Sequence, residues 1–183
     1  TDTVPAIDFH EIYYNADSNS ELIGGSVPAT EHSVMCMGTK DNEIATFKRL
    51  ISDLYPNGIV SIVSDTWDFW QVITEYLPML KEQILARDGK VVIRPDSGDP
   101  VKIIVGDPDA VPGSPEYKGA IECIWETFGG TTTEKGYKLL DSHIGLIYGD
   151  SITLERQTAI LEGLKAKGFA SFNVVLGIRS EER

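Results

Sequence analysis

The amino-acid sequence predicts an α/β fold, in which parallel strands alternate with helices. Short runs rich in valine and isoleucine recur along the chain, and most are followed by a segment with helical periodicity. The runs are nearly continuous in apolar residues, a pattern typical of parallel strands covered on both faces. This alternation suits an open doubly wound sheet or part of a barrel, and the pattern does not separate the two.

Five strands are predicted in order along the chain, of which the first is the weakest. They are SVPATEH (26–32), GIVSIVSD (58–65), KVVIRPDSG (90–98), IGLIYGD (144–150) and SFNVVLGI (171–178). Because parallel strands need crossover connections, the segments between them are expected to contain helices.

Three helical patterns fit such crossovers, and their apolar faces are predicted to pack on the sheet. Residues 41–54 carry one face of Ile44, Phe47, Ile51 and Leu54, with Asp41 as the predicted N-cap. Residues 66–77 carry a second face of Trp67, Trp70, Ile73 and Leu77. The third pattern spans 151–168 and ends at Gly168, a residue type that commonly terminates helices.

The least regular region is 97–141, which is rich in proline and glycine. It is predicted to be an elaborated loop over one end of the sheet. Within it, a single helix is expected around residues 119–128, where Ile121, Ile124, Trp125 and Phe128 share a face.

The charge balance limits the partners that the protein can bind. Its 183 residues include 16 basic and 28 acidic side chains, a net charge of −12. Such a chain is an unlikely nucleic-acid binder, because phosphate backbones are held by clustered lysine and arginine. An anionic ligand would need a local cation, a helix N-terminus or a bridging metal ion. Arg94 is the cation best placed for that role.

Other features of the chain predict a reduced, cytoplasmic protein. Cys36 and Cys123 lie in apolar helical patterns without metal-ligand spacing and are expected to be reduced core residues. No apolar stretch approaches the length of a membrane span, and no signal peptide is evident. The chain begins at Thr1 without a methionine, so it is expected to be a segment of a longer protein.

The first four predicted strands each end in potential ligand groups. The ends are Glu31-His32, Ser64-Asp65, Arg94 to Gly98 and Tyr148 to Asp150. In α/β sheets and barrels, ligands bind at the carboxyl ends of the strands. The alternative is that Asp65 and Asp150 cap the helices that follow, and that Arg94 pairs with Asp96 or Asp99.

The carboxylates among these groups are suited to two roles, and several functions are open to the histidine. Asp65, Asp96 and Asp150 could accept hydrogen bonds from vicinal ribose hydroxyls or hold Mg²⁺. Gly98 and Gly149 would allow the backbone to approach a ligand closely. His32 could bond a phosphate, act as an acid or base, or carry a phosphoryl group, although it could also be a strand-end hydrogen-bonding residue.

Six motifs together resemble one family. They are TDT (1–3), SVPATEHS (26–33), SIVSD (61–65), IRPDSG (93–98), KGYKLL (135–140) and YGDSI (148–152). In this order and spacing they resemble the nicotinamide phosphoribosyltransferases, which belong to the type II phosphoribosyltransferases. The resemblance extends from Thr1 to about Ile178, and it depends on the six motifs in order, since each alone is weak.

The resemblance implies an irregular α/β barrel with an additional, mainly β domain, built as a homodimer with active sites at the subunit interface. Residues 1–183 would form the central part of the barrel. The implied reaction joins nicotinamide to 5-phosphoribosyl-1-pyrophosphate, giving nicotinamide mononucleotide for NAD salvage and releasing pyrophosphate. ATP hydrolysis would be coupled through a phosphohistidine, and Mg²⁺ would accompany the pyrophosphate.

The resemblance also implies roles for individual residues. His32 would be the phosphorylated histidine, with Glu31 orienting its imidazole. Asp2 would receive the amide N–H of nicotinamide and repel the carboxylate of nicotinic acid. Ser61 would lie near the same amide, and Arg94 would contact the base and the phosphoribosyl group.

Implied contacts to the donor come from the later strand ends. Asp96, Gly149 and Asp150 would surround the ribose hydroxyls, within the same loops as Ser97 and Gly98. Asp65 would lie by the pyrophosphate and its magnesium ion, so it is both a catalytic and a metal-binding candidate.

The C-terminal tail departs from the family pattern. A glycine-rich phosphate loop with a further arginine would follow NVVLGI, but residues 179–183 read RSEER. The 5′-phosphate site is therefore expected to be incomplete in this segment, with little or no activity on its own.

Three alternatives remain open at the level of sequence. A nicotinate phosphoribosyltransferase shares the fold and donor, and a non-catalytic nucleotide- or phosphate-binding module could derive from the same barrel. A carboxylate-pair hydrolase is the third, with Asp65 and Asp96 as its pair.

Overall fold

The computed structural model describes residues 3–21, 23–24 and 26–177. The helices are α1 (Thr3–Tyr14), α2 (His32–Met37), α3 (Glu43–Arg49), α4 (Phe69–Gln71), α5 (Leu77–Leu85), α6 (Pro100–Val105), α7 (Pro115–Lys118), α8 (Ala120–Phe128) and α9 (Leu154–Ala166). The strands are β1 (Asn57–Val63), β2 (Asp88–Arg94), β3 (Gly130–Thr132), β4 (Lys138–Leu140), β5 (Ile144–Tyr148) and β6 (Val174–Leu176). The predicted α/β fold is confirmed.

Four strands form one parallel sheet in the order β1-β2-β5-β6. Strands β1 and β2 pair along their whole length, from Asn57 opposite Asp88 to Val63 opposite Arg94. The predicted first strand contributes only a single parallel bridge, from Ala29 to Ser61. Because all these strands run in one direction, their carboxyl ends meet at one edge of the sheet.

The two faces of this sheet differ in burial. On one face, Val60, Val91 and Leu146 are at most 1% exposed and lie in a cluster with helix side chains. On the other, Ile59 is 44% exposed and Val175 is 58% exposed. The sequence predicted cover on both faces, whereas the described residues cover the second face only in part: it includes the buried Val63 as well as these exposed residues. We call the second face the open face.

The first crossover helix differs from the prediction at both ends. Asp41 lies in a 3₁₀ turn (Lys40–Asn42), and the cap position of α3 is occupied by Asn42 without a side-chain cap bond. Phe47 and Ile51 are buried as predicted, but Leu54 is 48% exposed. A π-helical turn over Leu50–Leu54 explains this, because its i→i+5 hydrogen bonding puts more residues into the turn and so rotates the last residues off the predicted face.

Other helix predictions are confirmed in part. Ile73 and Leu77 are buried in the second crossover, but Trp67 precedes the helix and is 41% exposed. Helix α9 is followed by Gly168, whose φ of 76° is the left-handed conformation expected there. Cys36 is exposed on α2, contrary to its predicted burial, whereas Cys123 is a buried residue of α8. None of the described helices is long and apolar enough to cross a bilayer.

Region 97–141 has more regular structure than predicted. Besides the expected helix α8, it contains α6, α7 and the β3–β4 hairpin. Two short helices begin at a polar cap followed by proline: Asp99 accepts hydrogen bonds from the N–H groups of Val101 and Lys102, and Ser114 caps α7. The prolines were interpreted as loop markers, but at the first position of a helix proline is favoured.

Glu43 is a buried acid at the start of α3. It is 1% exposed, and neither carboxylate oxygen has a hydrogen-bond partner among the described residues. Burial, and to a smaller extent the charge of Asp68, raise the pKa of Glu43 from 4.5 to about 7, with Lys40 opposing the shift. The folded protein therefore binds this proton more tightly than the unfolded chain.

This shift predicts a pH-dependent loss of stability. Between pH 4.5 and about 7 the unfolded chain releases the Glu43 proton first, so the free energy of unfolding falls as pH rises. Glu43→Gln should remove this dependence. As pH rises from 4.5 to 8, the free energy of unfolding of the variant should increase by about 2 to 3 kcal/mol relative to that of the original protein, measured by urea unfolding.

The matched control is Glu82→Gln, which makes the same charge change at an exposed position of α5. Equal pH dependence in the Glu43 and Glu82 variants would contradict the raised pKa of Glu43.

Candidate active site

A single carboxylate connects three of the predicted strand ends. The Asp65 side chain, just beyond β1, is 6% exposed. Its Oδ2 accepts hydrogen bonds from the backbone N–H of Asp96 at 2.8 Å and from Ser97 Oγ at 2.6 Å. Its Oδ1 lies 3.2 Å from Nε2 of His32. The structure thus brings His32, Asp65 and the turn after β2 into one hydrogen-bonded group.

This contact defines how the imidazole can react. An ionised carboxylate only accepts hydrogen bonds, so the His32 nitrogen facing Asp65 carries the proton. In the neutral imidazole, the other ring nitrogen, Nδ1, then holds the lone pair. The His32 side chain is 46% exposed, so this nitrogen is available to a ligand. Such an imidazole can serve as a base or as a nucleophile.

Glu31 does not have the predicted contact with the imidazole. Its side chain is 72% exposed, and its Oε1 lies 3.6 Å from Nη2 of Arg94. The partner of His32 is Asp65 instead, because the parallel pairing brings the end of β1 beside the start of α2. The expectation that Glu31 orients the imidazole is therefore wrong for this structure.

Arg94 is held by the segment that precedes α2. Its Nη2 donates a hydrogen bond to the carbonyl of Thr30 at 2.7 Å, and its side chain is 16% exposed. The alternative of pairing with Asp96 or Asp99 is not found; among the described residues its ionic partner is Glu31. Thr30 also accepts, through Oγ1, from the N–H of Val63. Sequence reasoning missed Thr30, which carries no signal beyond its polarity.

Two polar groups near Arg94 lack partners. Ser61 is 5% exposed, and its Oγ forms no hydrogen bond within the described part of the chain. The same holds for Nε of Arg94. In the β1–β2 register Arg94 lies opposite Val63, two residues beyond Ser61, so both side chains point to the open face. Unpartnered buried polar atoms are unfavourable, and a ligand could supply the missing bonds.

The end of β5 brings Gly149 and Asp150 to the same edge. A Cβ added to Gly149 would lie 3.8 Å from Oδ1 of Asp96, so these two loops approach each other. A Cβ on Gly177 would lie 2.9 Å from Cα of Gly149, so a side chain at Gly177 would clash. Asp150 accepts a hydrogen bond from Ser151 Oγ at 2.9 Å.

The helix-capping alternative fails for both aspartates. Helix α4 is capped by Asp68, which accepts from the N–H of Gln71, and α9 is capped by Thr153. Asp65 and Asp150 are therefore free of that structural role. Asp2, by contrast, lies outside the described residues, as do Ile178 and the tail 179–183.

Gly98, which was predicted to let the backbone approach a ligand, also has a structural role in the turn after β2. Gly98 has a φ of 88°, a left-handed conformation that favours glycine, and an added Cβ would lie 2.9 Å from Cδ1 of Ile103. The glycine thus allows the turn after Ser97 to fold tightly over α6.

The residues of this site suit Mg²⁺ only when the ion is bound together with a phosphorylated ligand. Within residues 3–21, 23–24 and 26–177, no group of three or more histidine, cysteine or acidic side chains could hold a metal ion. Both oxygens of Asp65 already accept hydrogen bonds. Mg²⁺, however, is usually held by one or two carboxylates together with substrate phosphates. The site therefore suits an ion that arrives with a diphosphate, and the metal role of Asp65 stays a prediction.

A cavity of about 620 Å³ lies elsewhere in the molecule. It is formed by the β3–β4 hairpin, α9 and residues 169–172, and none of the predicted site residues lines it. The strand edge, and not this cavity, is therefore the candidate active site.

The fold and this edge define an α/β protein with a preformed polar site at the carboxyl ends of parallel strands. The model of the nicotinate phosphoribosyltransferase (NAPRTase) family matches residues 1–181, and the chain belongs to that family. The family membership predicted from the motifs is thereby confirmed.

Curated relatives that match the chain are named nicotinamide phosphoribosyltransferase. The protein of Acinetobacter baylyi (strain ATCC 33305 / BD413 / ADP1) is 62% identical over 186 residues, covering 98% of this chain and 36% of that protein. The Mycoplasma pneumoniae protein (strain ATCC 29342 / M129 / Subtype 1) is 42% identical, over 87% of this chain and 36% of its own length. The Xanthomonas campestris pv. campestris protein (strain 8004) is 33% identical, over 97% and 35%. The chain thus spans just over a third of these relatives.

The Asp65 contacts predict that this carboxylate orders the turn after β2. Asp65→Ala removes the acceptor of the Asp96 N–H and of Ser97 Oγ, so backbone amides in residues 94–98 should exchange with deuterium about tenfold faster. Hydrogen exchange with mass spectrometry on the complete protein measures this.

Asp68→Ala is the control, since it removes a neighbouring carboxylate that caps α4 and does not contact the turn. If the Asp65 variant exchanged no faster in this segment than the Asp68 variant, the ordering role would be wrong.

Proposed function

We propose that the chain forms the central part of a nicotinamide phosphoribosyltransferase, which converts nicotinamide and 5-phosphoribosyl-1-pyrophosphate to nicotinamide mononucleotide and pyrophosphate. The observation that carries this proposal is the Asp65 carboxylate, which joins His32 to the turn bearing Asp96 and Ser97. Family membership and the names of the relatives support the same reaction.

The nicotinamide would bind over the open face. Ser61 Oγ, buried and unpartnered among the described residues, offers a hydrogen bond to the carboxamide. Arg94, fixed by the Thr30 carbonyl, would contact the base and the phosphoribosyl group with its remaining N–H donors. Asp2 would accept the amide N–H, as the family resemblance implies.

The phosphoribosyl donor would bind along the later strand ends. Asp96 and Asp150 would accept hydrogen bonds from the ribose hydroxyls, and Gly149 leaves space between them. Mg²⁺ would be held by the diphosphate with Asp65 or its neighbours, and it would neutralise the charge that develops on the leaving pyrophosphate. Carboxylates near the sugar would favour the positive charge that develops at the anomeric carbon.

His32 would couple ATP to turnover. Nδ1 would attack the γ-phosphorus of ATP, forming an N–P bond while the bond to ADP breaks. The proton on Nε2 stays in its hydrogen bond to Asp65, so the carboxylate stabilises the positive ring that results. The phosphorylated histidine would then lie beside the pyrophosphate site.

The assembly and location of the complete protein are parts of the same proposal. The resemblance supports a homodimer, and a cytoplasmic location is proposed with it. A carboxylate-pair hydrolase is less well supported, because Asp65 already accepts three hydrogen bonds and is poorly suited to donate a proton.

The phosphohistidine proposal predicts a specific loss in His32→Asn. In the complete protein with ATP, intact mass should show one added phosphoryl group that this variant lacks. We expect the ATP-dependent gain in kcat/KM to disappear, whereas turnover without ATP falls less than about tenfold.

His10→Asn is the matched control, because His10 is exposed on α1 and does not belong to the site. Phosphorylation that persists in the His32 variant would contradict the proposed nucleophile.

The second candidate substrate is nicotinic acid, which the family name itself favours. The choice between the two bases is proposed to depend on Asp2, whose charge would repel a second carboxylate. Asp2→Asn should therefore raise the ratio of kcat/KM for nicotinic acid to that for nicotinamide by about tenfold or more.

Asp8→Asn makes the same change at an exposed position of α1 and should leave the ratio unchanged. If the ratio in the Asp2 variant equalled that of the Asp8 variant, charge repulsion at Asp2 would not explain the specificity.

A further inference from the structure

Tyr148 is the last residue of β5 and is 1% exposed. It alternates with Leu146 and Ile144, which are buried against the helices, so its side chain lies on the covered face of the sheet. Ser61 and Arg94 point to the opposite, open face. Tyr148 is therefore separated from the proposed nicotinamide position by the sheet itself.

The Tyr148 hydroxyl nevertheless contacts the backbone of the turn after β2, which belongs to the candidate site. Tyr148 Oη donates to the carbonyl of Ser97 at 2.8 Å, with a second contact to the carbonyl of Gly98 at 3.1 Å. On its other side, the same turn is held by the Asp65 carboxylate, through the Asp96 N–H and Ser97 Oγ. The turn after β2 is thus held between groups from its two neighbouring strands, β1 and β5.

We propose that Tyr148 is a positioning residue for the phosphoribosyl donor: its hydroxyl holds the 96–98 turn against Asp65, so that Asp96 and Ser97 are prearranged for the ribose. This inference rests on the proposed function. It adds a residue that contacts neither substrate in that proposal and acts through the backbone of the turn.

The hydroxyl is suited to remain a donor at all physiological pH values. Burial raises the pKa of Tyr148 to about 12, and the charges of Asp150, Asp65, Asp96 and Asp99 raise it as well. The hydroxyl therefore keeps its proton, which is the atom that the two carbonyls require. A phenylalanine would fill nearly the same space but would leave those carbonyls without this donor.

The test is Tyr148→Phe in the complete protein, with Tyr76→Phe as the matched control. Tyr76 also packs against the core, and its variant loses the same hydroxyl, but it lies in the π-helical turn Val72–Tyr76, whereas the hydroxyl that bonds the carbonyls of Ser97 and Gly98 is that of Tyr148. For Tyr148→Phe we expect KM for 5-phosphoribosyl-1-pyrophosphate to rise about tenfold while KM for nicotinamide stays unchanged. A variant that was merely less stable would lose active protein and lower kcat, with both KM values unchanged.

Hydrogen exchange supplies a second readout that needs no activity. Amides of residues 94–98 should exchange faster in Tyr148→Phe than in either the original protein or Tyr76→Phe. Unchanged exchange in this segment would overturn the inference, as would an unchanged donor KM in an active enzyme. If the original protein made no nicotinamide mononucleotide, the proposed function would fail, and the exchange result would still decide whether Tyr148 holds the turn.

Discussion

The arrangement of the site depends on the burial of one carboxylate. Removing an aspartate from water is unfavourable unless hydrogen bonds replace those lost, and Asp65, 6% exposed, accepts three. Each donor comes from a different chemical group: an imidazole, a backbone amide and a serine hydroxyl. Because all three must be in place for the burial to be tolerated, the orientation of His32 and the shape of the turn after β2 are coupled to each other through Asp65.

The coupling depends on the register of β1 against β2, since hydrogen bonds between the ends of neighbouring strands tolerate little displacement of one strand along the other. Val63 pairs with Arg94, which sets Asp65 beside the turn that begins two residues later. A slip of β2 by one residue would turn Arg94 from the open face toward the helices, where its guanidinium would be buried in an apolar cluster, and a slip of β1 would do the same to the Ser61 hydroxyl. The near-complete burial of Val60, Ile62, Val91 and Ile93 opposes such a slip. The hydrophobic core therefore determines the register, and the register determines the site.

The sequence predicted the parts of this architecture that follow from periodicity and strand ends. It failed at local irregularities of the helices and at contacts between distant segments. The four-stranded sheet, α8 and the end of α9 follow from local patterns. The predicted burial of Leu54 is wrong because a π-helical turn shifts it off the apolar face of the helix. The predicted burial of Trp67 is wrong because the helix begins only after this residue. Glu31 was chosen as the partner of His32 because it is adjacent in sequence, whereas the actual partner, Asp65, is 33 residues away. The contacts of Tyr148 with the turn cross an even longer separation, and no local signal indicates them.

In the proposed function, an acidic protein has to hold an anionic substrate. With a net charge of −12, the chain repels phosphate at long range, so binding must come from cations fixed in place. Arg94 is fixed by the Thr30 carbonyl, at the cost of one of its five N–H donors, and its contact with Glu31 is long and exposed. Most of its donors therefore remain available on the open face. In the proposed function, the carboxylates would oppose a diphosphate unless a divalent ion arrived with it, so Mg²⁺ and the donor would bind this edge of the sheet as a single ligand.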